Sequence, residues 1–310
     1  MKTHAKIVGM SALFLGTFLA GGCSNDNVIE AEPTEQESAT PATAEAATSP
    51  ESQDNITDGE EGWTIVFEDD FEDGTTPDPS KWSLCEKAKS NWARYLSESY
   101  DQAYQKDGYL YLIGEQIDGE YKTGGIETRG KFDFQYGKVE CRARFLRQPK
   151  GGHTGIWMMP APPAEQWPKS GEIDIMEHLS SEPLIYETVH SWYADDMGHK
   201  DNPLSQKEVS VNNEDWNTYG IVWTPESITY TVNGKEYLSY PNLHLDGENG
   251  DYQWPFNHNF YLILSQSLGG EGTWAGPIDN SELPAVFQID WIRVSQQNPV
   301  SAGVPTITAD

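Results

Sequence analysis

The sequence predicts an all-β domain in which two antiparallel sheets pack as a sandwich. Three observations support this fold class. Apolar and charged residues alternate without a break from Lys138 to Phe145, which is the period of a half-buried strand. Asn233-Gly234 separates two short strand-like segments and suits the positive φ angles of a two-residue hairpin turn. No long helical period appears along the chain.

The chain begins with a segment that is typical of an export signal. Residues 1–22 predict a signal peptide, because Lys2 and Lys6 precede an apolar run from 7 to 20 that is too short to span a bilayer comfortably. Small residues then lead to Cys23, and this arrangement is similar to a bacterial lipobox. We therefore expect Cys23 to be lipidated; an ordinary secretory signal with an incidental cysteine is the alternative.

Residues 23–61 predict a lipidated cysteine followed by a disordered acidic tether. From Ser24 to Glu61 there is no Lys, Arg or aromatic residue, so the segment cannot bury enough apolar surface to fold. It carries −11 of the net charge of −29, and Lys2 and Lys6 carry +2, which leaves −20 for the remainder. A long tether after a lipid anchor predicts an outer-membrane lipoprotein that faces outward.

The acidic remainder bears on the class of partner. Phosphate contacts need clustered Lys and Arg, so a domain with a net charge of −20 is a poor candidate for binding nucleic acid. We expect a neutral partner and a monomeric protein.

The folded domain is predicted to span residues 62–297, followed by a tail at 298–310. An all-β domain of about this length forms a single unit. Cys85 and Cys141 could pair in an oxidising compartment, but Cys141 falls on the apolar side of a strand, where a lone cysteine is commonly a small hydrophobic residue. The pairing therefore stays open. The expected strands, in chain order, are Thr64–Phe67, Tyr109–Glu115, Lys138–Phe145, Ile228–Val232, Lys235–Leu238, Phe260–Ser265 and Phe287–Ser295.

The supply of aromatic residues exceeds what a sandwich core needs. The chain has 11 Trp and 15 Tyr, and aromatic faces exposed along a sheet can stack on sugar rings. We expect about half of the tryptophans to lie near a cleft, since large aromatic side chains dominate both cores and binding surfaces.

The segment Gly171–His178 predicts the chemistry. Side chains alternate along a strand, so Glu172 and Asp174 share one face and Glu177 points to the other. A β-bulge of one extra residue would return Glu177 to their face, with its Cα about 13 Å from that of Glu172 at about 3.3 Å per residue. Two Glu side chains that lean together can close most of this gap. Retaining glycoside hydrolysis needs two carboxyl groups about 5–5.5 Å apart.

The three carboxyl groups are expected to have different roles in the reaction. They cannot all be ionised at low cost on one face, so at least one should keep a proton near neutral pH. We predict Glu172 as nucleophile, Glu177 as acid/base, and Asp174 as the group that orients Glu172. A solvated acidic strand face is the alternative, but Ile173 and Ile175 predict a buried strand, where uncompensated acids are costly.

Together with this signature, a series of ordered motifs resembles glycoside hydrolase family 16, in particular the laminarinase-like branch with the bulged Glu-x-Asp-x-x-Glu signature. The resemblance implies a β-jelly-roll sandwich with a sugar-binding cleft across its concave sheet. The motifs, in chain order, are Phe67–Phe71, Asp107–Leu110, Gly130–Phe132, Tyr136–Glu140, Trp157–Met159, Trp223–Glu226, Trp254–Phe256, Phe260–Leu264, Gly269-Gly270 and Asp290–Val294.

The resemblance also implies roles for individual residues. It assigns nucleophile, helper acid and acid/base to Glu172, Asp174 and Glu177. It implies that no cofactor is required, although a structural calcium near Asp70 and Asp290 is possible. The further positions that it suggests for substrate contact are Trp157, Trp167 and Trp274 as stacking residues and His190 as a polar contact.

Three departures from glucan-cleaving relatives bear on the substrate. They fall at Gly125, His153 and Gln266, and the last two offer hydrogen-bonding groups that could meet an axial hydroxyl or an acetamido group. We therefore lean towards β-galactosidic bonds, as in poly-N-acetyllactosamine of mucin O-glycans or in algal galactans, over β-1,3(4)-glucan. The net charge of −20 without a Lys/Arg cluster near Glu172 predicts a neutral or lightly charged chain.

Two other functions stay open from the sequence. A non-catalytic, surface-anchored glycan-binding lipoprotein would use the same aromatics but would not need a matched nucleophile and acid. A retaining enzyme can also pass its glycosyl intermediate to a sugar instead of water. An open cleft across a whole sheet predicts cleavage inside a chain in either case.

Overall fold

The computed structural model describes residues 62–298. The predictions for the signal peptide, for Cys23, for the tether and for the tail from 299 onwards lie outside the described residues. Three short helices are present in this described part, α1 (Trp192–Asp195), α2 (Glu248–Gln253) and a 3-10 turn at Asn280–Glu282. None of the helices in the described residues is long and apolar enough to span a bilayer.

The described chain is almost entirely β-structure, which confirms the predicted fold class. Every strand pairing is antiparallel. The strands are β1 (Trp63–Asp69), β2 (Ser83–Leu84), β3 (Ala103–Lys106), β4 (Tyr109–Ile117), β5 (Glu120–Thr123), β6 (Gly125–Glu127), β7 (Gly137–Arg147), β8 (Gly152–Pro160), β9 (Glu172–Leu179), β10 (Leu184–His190), β11 (Gln206–Ser210), β12 (Asn217–Trp223), β13 (Ser227–Val232), β14 (Lys235–Pro241), β15 (Phe260–Leu268) and β16 (Ala285–Gln297).

The strands form two sheets. The seven-stranded sheet, which we call the cleft sheet, has the order β11-β10-β9-β8-β15-β6-β2. The nine-stranded sheet, which we call the outer sheet, has the order β14-β13-β12-β7-β16-β4-β3, with β1 paired to β16 and β5 paired to β4. The predicted carboxylate segment is therefore at the centre of the cleft sheet, between β8 and β10.

One continuous core lies between the two sheets. Val139, Cys141, Ala143 and Phe145 of β7 are all buried, as their alternation predicts. From the cleft sheet, Ile173, Ile175 and Met176 of β9 belong to the same core cluster. Their burial fixes the face of β9 that points away from the core.

The predicted hairpin is confirmed. β13 and β14 pair in antiparallel register, and the turn between them has φ values of 52° at Asn233 and 75° at Gly234. Both angles are positive, which is the conformation that an Asn-Gly turn adopts most readily.

The two cysteines of the described chain are both free and buried. Cys141 belongs to the main core, and Cys85 belongs to a smaller cluster with Leu96 and Trp157. The open question of their pairing is thus answered: each acts as a small hydrophobic residue.

Candidate active site

A β-bulge in β9 brings the three carboxyl groups to one face. On one side of the strand, Trp157 pairs with Asp174 and Ile156 with Met176, so Ile175 is the extra residue. On the other side, β9 takes three steps from Asp174 to Glu177 while its partner β10 takes two, from Thr188 to Tyr186. The bulge reverses the alternation after Asp174.

Glu172, Asp174 and Glu177 consequently line one small cavity of about 50 Å³. Asp174 in the middle is 2% exposed, whereas the two glutamates at the ends are half-buried. This is the arrangement of a central helper acid flanked by two acids that can reach a substrate.

Glu172 is held from the solvent side by an aromatic residue. Trp167 donates its indole N–H to Glu172 Oε2 at 2.5 Å, although half of its own surface (50%) is exposed. Burial, the charge of Asp174 and the charge of Glu177 raise the pKa of Glu172 well above its usual range, while the charge of His190 opposes the shift. A nucleophile has to be ionised, so the proton on this carboxyl must leave before it attacks.

Asp174 faces His190. Its Oδ2 lies 3.3 Å from His190 Nε2. Burial, followed by the charge of Glu177, raises the pKa of Asp174 to about 6, and the interaction with His190 works against the rise. The neighbouring carboxyls Glu172 and Asp174 therefore hold a proton in mildly acidic solution.

Glu177 has a different partner. Its Oε1 lies 2.9 Å from His153 Nε2, and the His153 ring lies edge-on to Trp274 at 5.9 Å between centroids. Trp274 also contacts Tyr186 and is 51% exposed. An imidazole that can donate to the carboxylate or accept from the carboxylic acid suits a group that exchanges a proton in each half of the reaction.

A second cavity of about 700 Å³ adjoins the Glu172 end of the site. It is large enough for sugar rings on that side of the carboxylates. Its lining includes aromatic side chains and both signs of charge, namely Glu86, Lys87, Trp92, Glu127, Arg129, Trp157, Trp167, Glu172 and Tyr261.

Two cations line this cavity, and they bear on the expectation that no Lys/Arg cluster lies near Glu172. Lys87 and Arg129 both line the cavity with it. Arg129 is committed to Glu127, with Nη2 2.6 Å from Glu127 Oε1, and Glu86 lies beside Lys87 in the lining. The cavity wall is therefore not a net cationic surface, and a neutral or lightly charged glycan still suits it.

The prediction that Gln266 contacts the substrate is wrong. Gln266 is fully buried; its Oε1 accepts hydrogen bonds from Gln148 and Thr154, and its Nε2 donates to the Ser267 carbonyl. Leu262 and Leu264 of β15 belong to the core and Ser265 lines the small cavity, so alternation along the strand turns Gln266 away from the cleft.

The other positions singled out for substrate specificity or stacking fall in two groups. His153, Trp167 and Trp274 stand beside the carboxylates, as described above. Trp157 lines both cavities but is only 7% exposed, because Trp92 packs edge-on to it at 4.8 Å. Gly125 is buried against Leu96 and Cys85, which lie 3.1 and 3.2 Å from where its Cβ would be.

The residues suggested for calcium each have another partner, and a calcium ion near them stays a prediction. Asp290 forms an ion pair with the Arg142 guanidinium, which would repel calcium. Asp70 accepts a hydrogen bond from the Glu72 backbone. Neither acid belongs to a group of three or more clustered metal-ligand side chains among residues 62–298.

Several residues of the site were not found from the sequence. Trp92 and Arg129 line the larger cavity. Asp195 Oδ2 lies 3.0 Å from His190 Nδ1, the ring nitrogen that does not face Asp174. All three lie outside the predicted strands, so no periodic pattern marks them. Four tryptophans in all, Trp92, Trp157, Trp167 and Trp274, lie at the cleft, somewhat fewer than the half of 11 expected.

Comparison with known families supports the chemistry that this geometry suggests. The model of the glycosyl hydrolases family 16 matches residues 89–293. This range includes β9 and both histidines beside its carboxylates.

Two curated relatives are similar over most of the domain. The keratan-sulfate endo-1,4-beta-galactosidase of Sphingobacterium multivorum is 36% identical over 75% of this chain and 55% of its own length, so the chain spans about half of that relative. The beta-glucanase of Rhodothermus marinus is 32% identical over 75% of this chain and 85% of its own length.

A solved structure gives the same result. It was reported under the description "Prominent members of the human gut microbiota express endo-acting O-glycanases to initiate mucin breakdown". It has 33% sequence identity and a TM-score of 0.69, and the match covers 76% of this chain and 100% of that chain.

Proposed function

The chain belongs to the glycosyl hydrolases of family 16, and from this premise we propose that it is a retaining endo-β-glycosidase. The observation that carries the proposal is the bulge at Ile175, which brings Glu172, Asp174 and Glu177 to one cavity. A protein that only binds glycans would need the exposed Trp167 and Trp274 but no matched pair of carboxyl groups.

The mechanism assigned to the pair is a double displacement. Glu172 attacks the anomeric carbon while Glu177 protonates the leaving oxygen, and a covalent glycosyl-enzyme forms. Glu177 then removes a proton from water, which displaces the sugar from Glu172 with overall retention. Asp174 lies between them in the same cavity, and its pKa and that of Glu172 influence each other, so we assign it the role of orienting the nucleophile.

The anomeric configuration of the first product tests this mechanism. Proton NMR during the first turnovers should show the β-anomer before mutarotation. A first-formed α-anomer would exclude the retaining pair and leave the family assignment unchanged.

For the substrate, we propose an internal β-galactosidic bond in a neutral or lightly charged glycan. Two lines support the galactosidic bond, although not the low charge of the glycan: the similarity to a keratan-sulfate endo-1,4-beta-galactosidase at 36% identity, and His153, which stands at the site beside Glu177. Gln266 no longer contributes, because it is buried.

A β-1,3(4)-glucan is the second candidate substrate. The beta-glucanase of Rhodothermus marinus aligns over 85% of its length, so the whole catalytic domain is comparable. Incubation with mucin O-glycans, agarose, laminarin and mixed-linkage glucan, followed by analysis of the released oligosaccharides, separates the two. Release from laminarin with none from the galactosides would overturn the galactoside proposal.

The same assay addresses the remaining alternatives. Binding to a glycan without release of oligosaccharides would identify a binding lipoprotein. Products longer than the starting oligosaccharide at high concentration would show transglycosylation.

We also propose that the protein is a monomeric lipoprotein, anchored through Cys23 on the outside of an outer membrane. The support is the sequence Ala20-Gly21-Gly22-Cys23 and the acidic segment that follows it. Fractionation of cells that express the wild type and Cys23→Ala tests it: only the variant should be soluble. A soluble wild type with an unmodified Cys23 would contradict the anchor.

A further inference from the structure

A row of charged side chains extends from the catalytic face to the solvent. His190 lies between two acids, with Nε2 3.3 Å from Asp174 Oδ2 and Nδ1 3.0 Å from Asp195 Oδ2. The other oxygen of Asp195, Oδ1, is 3.1 Å from Lys200 Nζ. The exposed fraction of the side chains rises from 2% at Asp174 to 60% at Lys200.

The turn after β10 fixes Asp195. Ser191 caps α1 by accepting a hydrogen bond from the Ala194 backbone N–H. The Asp195 carboxylate accepts a hydrogen bond from the Ser191 backbone N–H at 3.2 Å, and the Asp195 backbone N–H donates to the Ser191 carbonyl. The carboxylate is therefore held towards the His190 ring by the backbone as well as by the ring itself.

The surroundings of His190 favour its doubly protonated form. Each ring nitrogen faces a carboxylate, and only the imidazolium can donate from both nitrogens. Burial lowers the pKa of His190, but the contact with Asp174, the hydrogen bond to Asp195 and the charges of Asp174 and Glu172 raise it well above its ordinary value of 6.5. Asp201 and Lys200 line the cavity beside the ring, and Tyr240 lies near Asp195.

We propose that Asp195 is a positioning residue for the glycosidase reaction, which keeps His190 charged and directs its Nε2–H at Asp174. The inference rests on the proposed function, in which Glu172 has to be ionised to attack. The His190 charge favours the ionised form of Glu172, and Asp195 preserves that charge. Lys200 acts in the opposite sense, because its ammonium group attracts the same carboxylate.

The test is to remove the charge of Asp195 while keeping its shape. In Asp195→Asn, we expect the pKa of His190 to fall by about one unit or more. NMR titration of the imidazole signals, assigned with His190→Gln, measures this value. We expect kcat on the cleaved glycan to fall about tenfold with little change in KM, as for an interaction that acts in the transition state.

Two further variants test whether the His190 pKa changes in the direction that each charge predicts. Asp195→Glu restores the charge and should recover part of both losses. Lys200→Met removes a cation and should raise the pKa of His190. As a matched control, Glu226→Gln removes an exposed contact of 2.7 Å between Glu226 and His244 and should change neither kcat nor the His190 pKa.

Two results would overturn the proposal. If Asp195→Asn lowers kcat while the pKa of His190 stays the same, Asp195 only braces the turn; if the pKa falls and kcat stays the same, the imidazolium has no role. Should Asp195→Asn fail to fold, an unchanged or lowered His190 pKa in Lys200→Met would contradict it. The NMR titration needs no substrate, so inactivity of the wild type would count against the proposed function alone.

Discussion

Two buried carboxyl sites lie on neighbouring strands of the cleft sheet but on opposite faces. Asp174 of β9 faces the cleft, and Glu187 of β10 faces the core; they are 2% and 0% exposed. Asp174 Oδ2 has His190 Nε2 at 3.3 Å, an ion-pair distance without hydrogen-bond geometry, whereas neither oxygen of Glu187 has a hydrogen-bond partner within the described chain. Burial is the first cause of the raised pKa at both, about 6 for Asp174 and about 8 for Glu187.

The difference shows what a partner adds to burial. Without one, a carboxyl in the core stays protonated at neutral pH and acts as a neutral, unsatisfied polar group. With an imidazolium beside it, a carboxyl of similar burial ionises around pH 6, where it can support catalysis. The histidine partner, rather than depth, distinguishes the functional acid from the inert one.

The largest expected effect comes from removing the two acids that react. Glu172→Gln and Glu177→Gln should each lower kcat by at least about 10³-fold, because each loses a group that makes or breaks a bond. Circular dichroism should show an unchanged fold. Turnover of Glu172→Gln near the wild-type rate on a natural glycan would refute the assigned roles.

A smaller loss is expected at Asp174, together with a pH effect. Wild-type kcat/KM should decrease as the pH falls through about 6, since burial and the charge of Glu177 raise the pKa of Asp174 to about 6 and Glu172 beside it also takes up a proton. Asp174→Asn should lower kcat by about 10- to 100-fold. It should also shift the pH at which kcat/KM decreases on the acid side. If kcat/KM of Asp174→Asn decreases at the same pH as that of the wild type, another group is responsible for the decrease.

On the core face, the expected effect is on stability and not on activity. The pKa of Glu187 is raised from its ordinary 4.5 to about 8, so the folded protein binds a proton that the unfolded chain releases between these values. Its contribution to the free energy of unfolding therefore decreases as the pH rises from 4.5 to 8, by on the order of 3–5 kcal/mol.

Glu187→Met removes this dependence while keeping the volume. The variant should gain stability over the wild type as the pH rises through that window, measured by urea unfolding at pH 5 and pH 8, with kcat retained. An equal difference between variant and wild type at both pH values would contradict the raised pKa.

The smallest effect is expected at the rim of the cleft. Trp274→Ala should raise KM about tenfold, or about 1.4 kcal/mol, with kcat little changed, because the ring is half exposed beside His153 and contacts no reacting atom. Trp291→Ala on the outer sheet, where Arg293 lies over the ring, is the matched control and should leave KM unchanged. Equal effects of the two would remove Trp274 from the substrate site.

Local patterns explain what the sequence could predict. The alternation from Lys138 to Phe145 and the Asn233-Gly234 turn depend on neighbours in the chain, and both are confirmed. The bulge was predicted because Glu172, Asp174 and Glu177 can act together only if their side chains lie on one face of the strand. Gln266 was misplaced because β15 is buried on both faces, and there alternation carries no information on which face holds the cleft.

The partners of the acids could not be foreseen in the same way. Asp195 meets His190 because α1 turns back after β10, and Trp92 covers Trp157 because the 85–96 segment folds over the sheet. Neither contact follows a period, since both depend on loops whose course is set by tertiary packing. The resemblance to the family indicated His190, but not what holds its ring.

Because of the bulge at Ile175, the face to which Glu177 points depends on the number of residues in the strand, and much less on which apolar residue stands at position 175. Replacing Ile175 with another apolar residue keeps both acids in the cleft. Deleting it would leave Asp174 and Glu177 two residues apart in a regular strand, where alternation keeps both on the cleft face, whereas one further residue beside it would turn Glu177 towards the core. Over evolutionary time, the strand should therefore tolerate loss of the bulge residue, but not the gain of a single residue between Glu172 and Glu177.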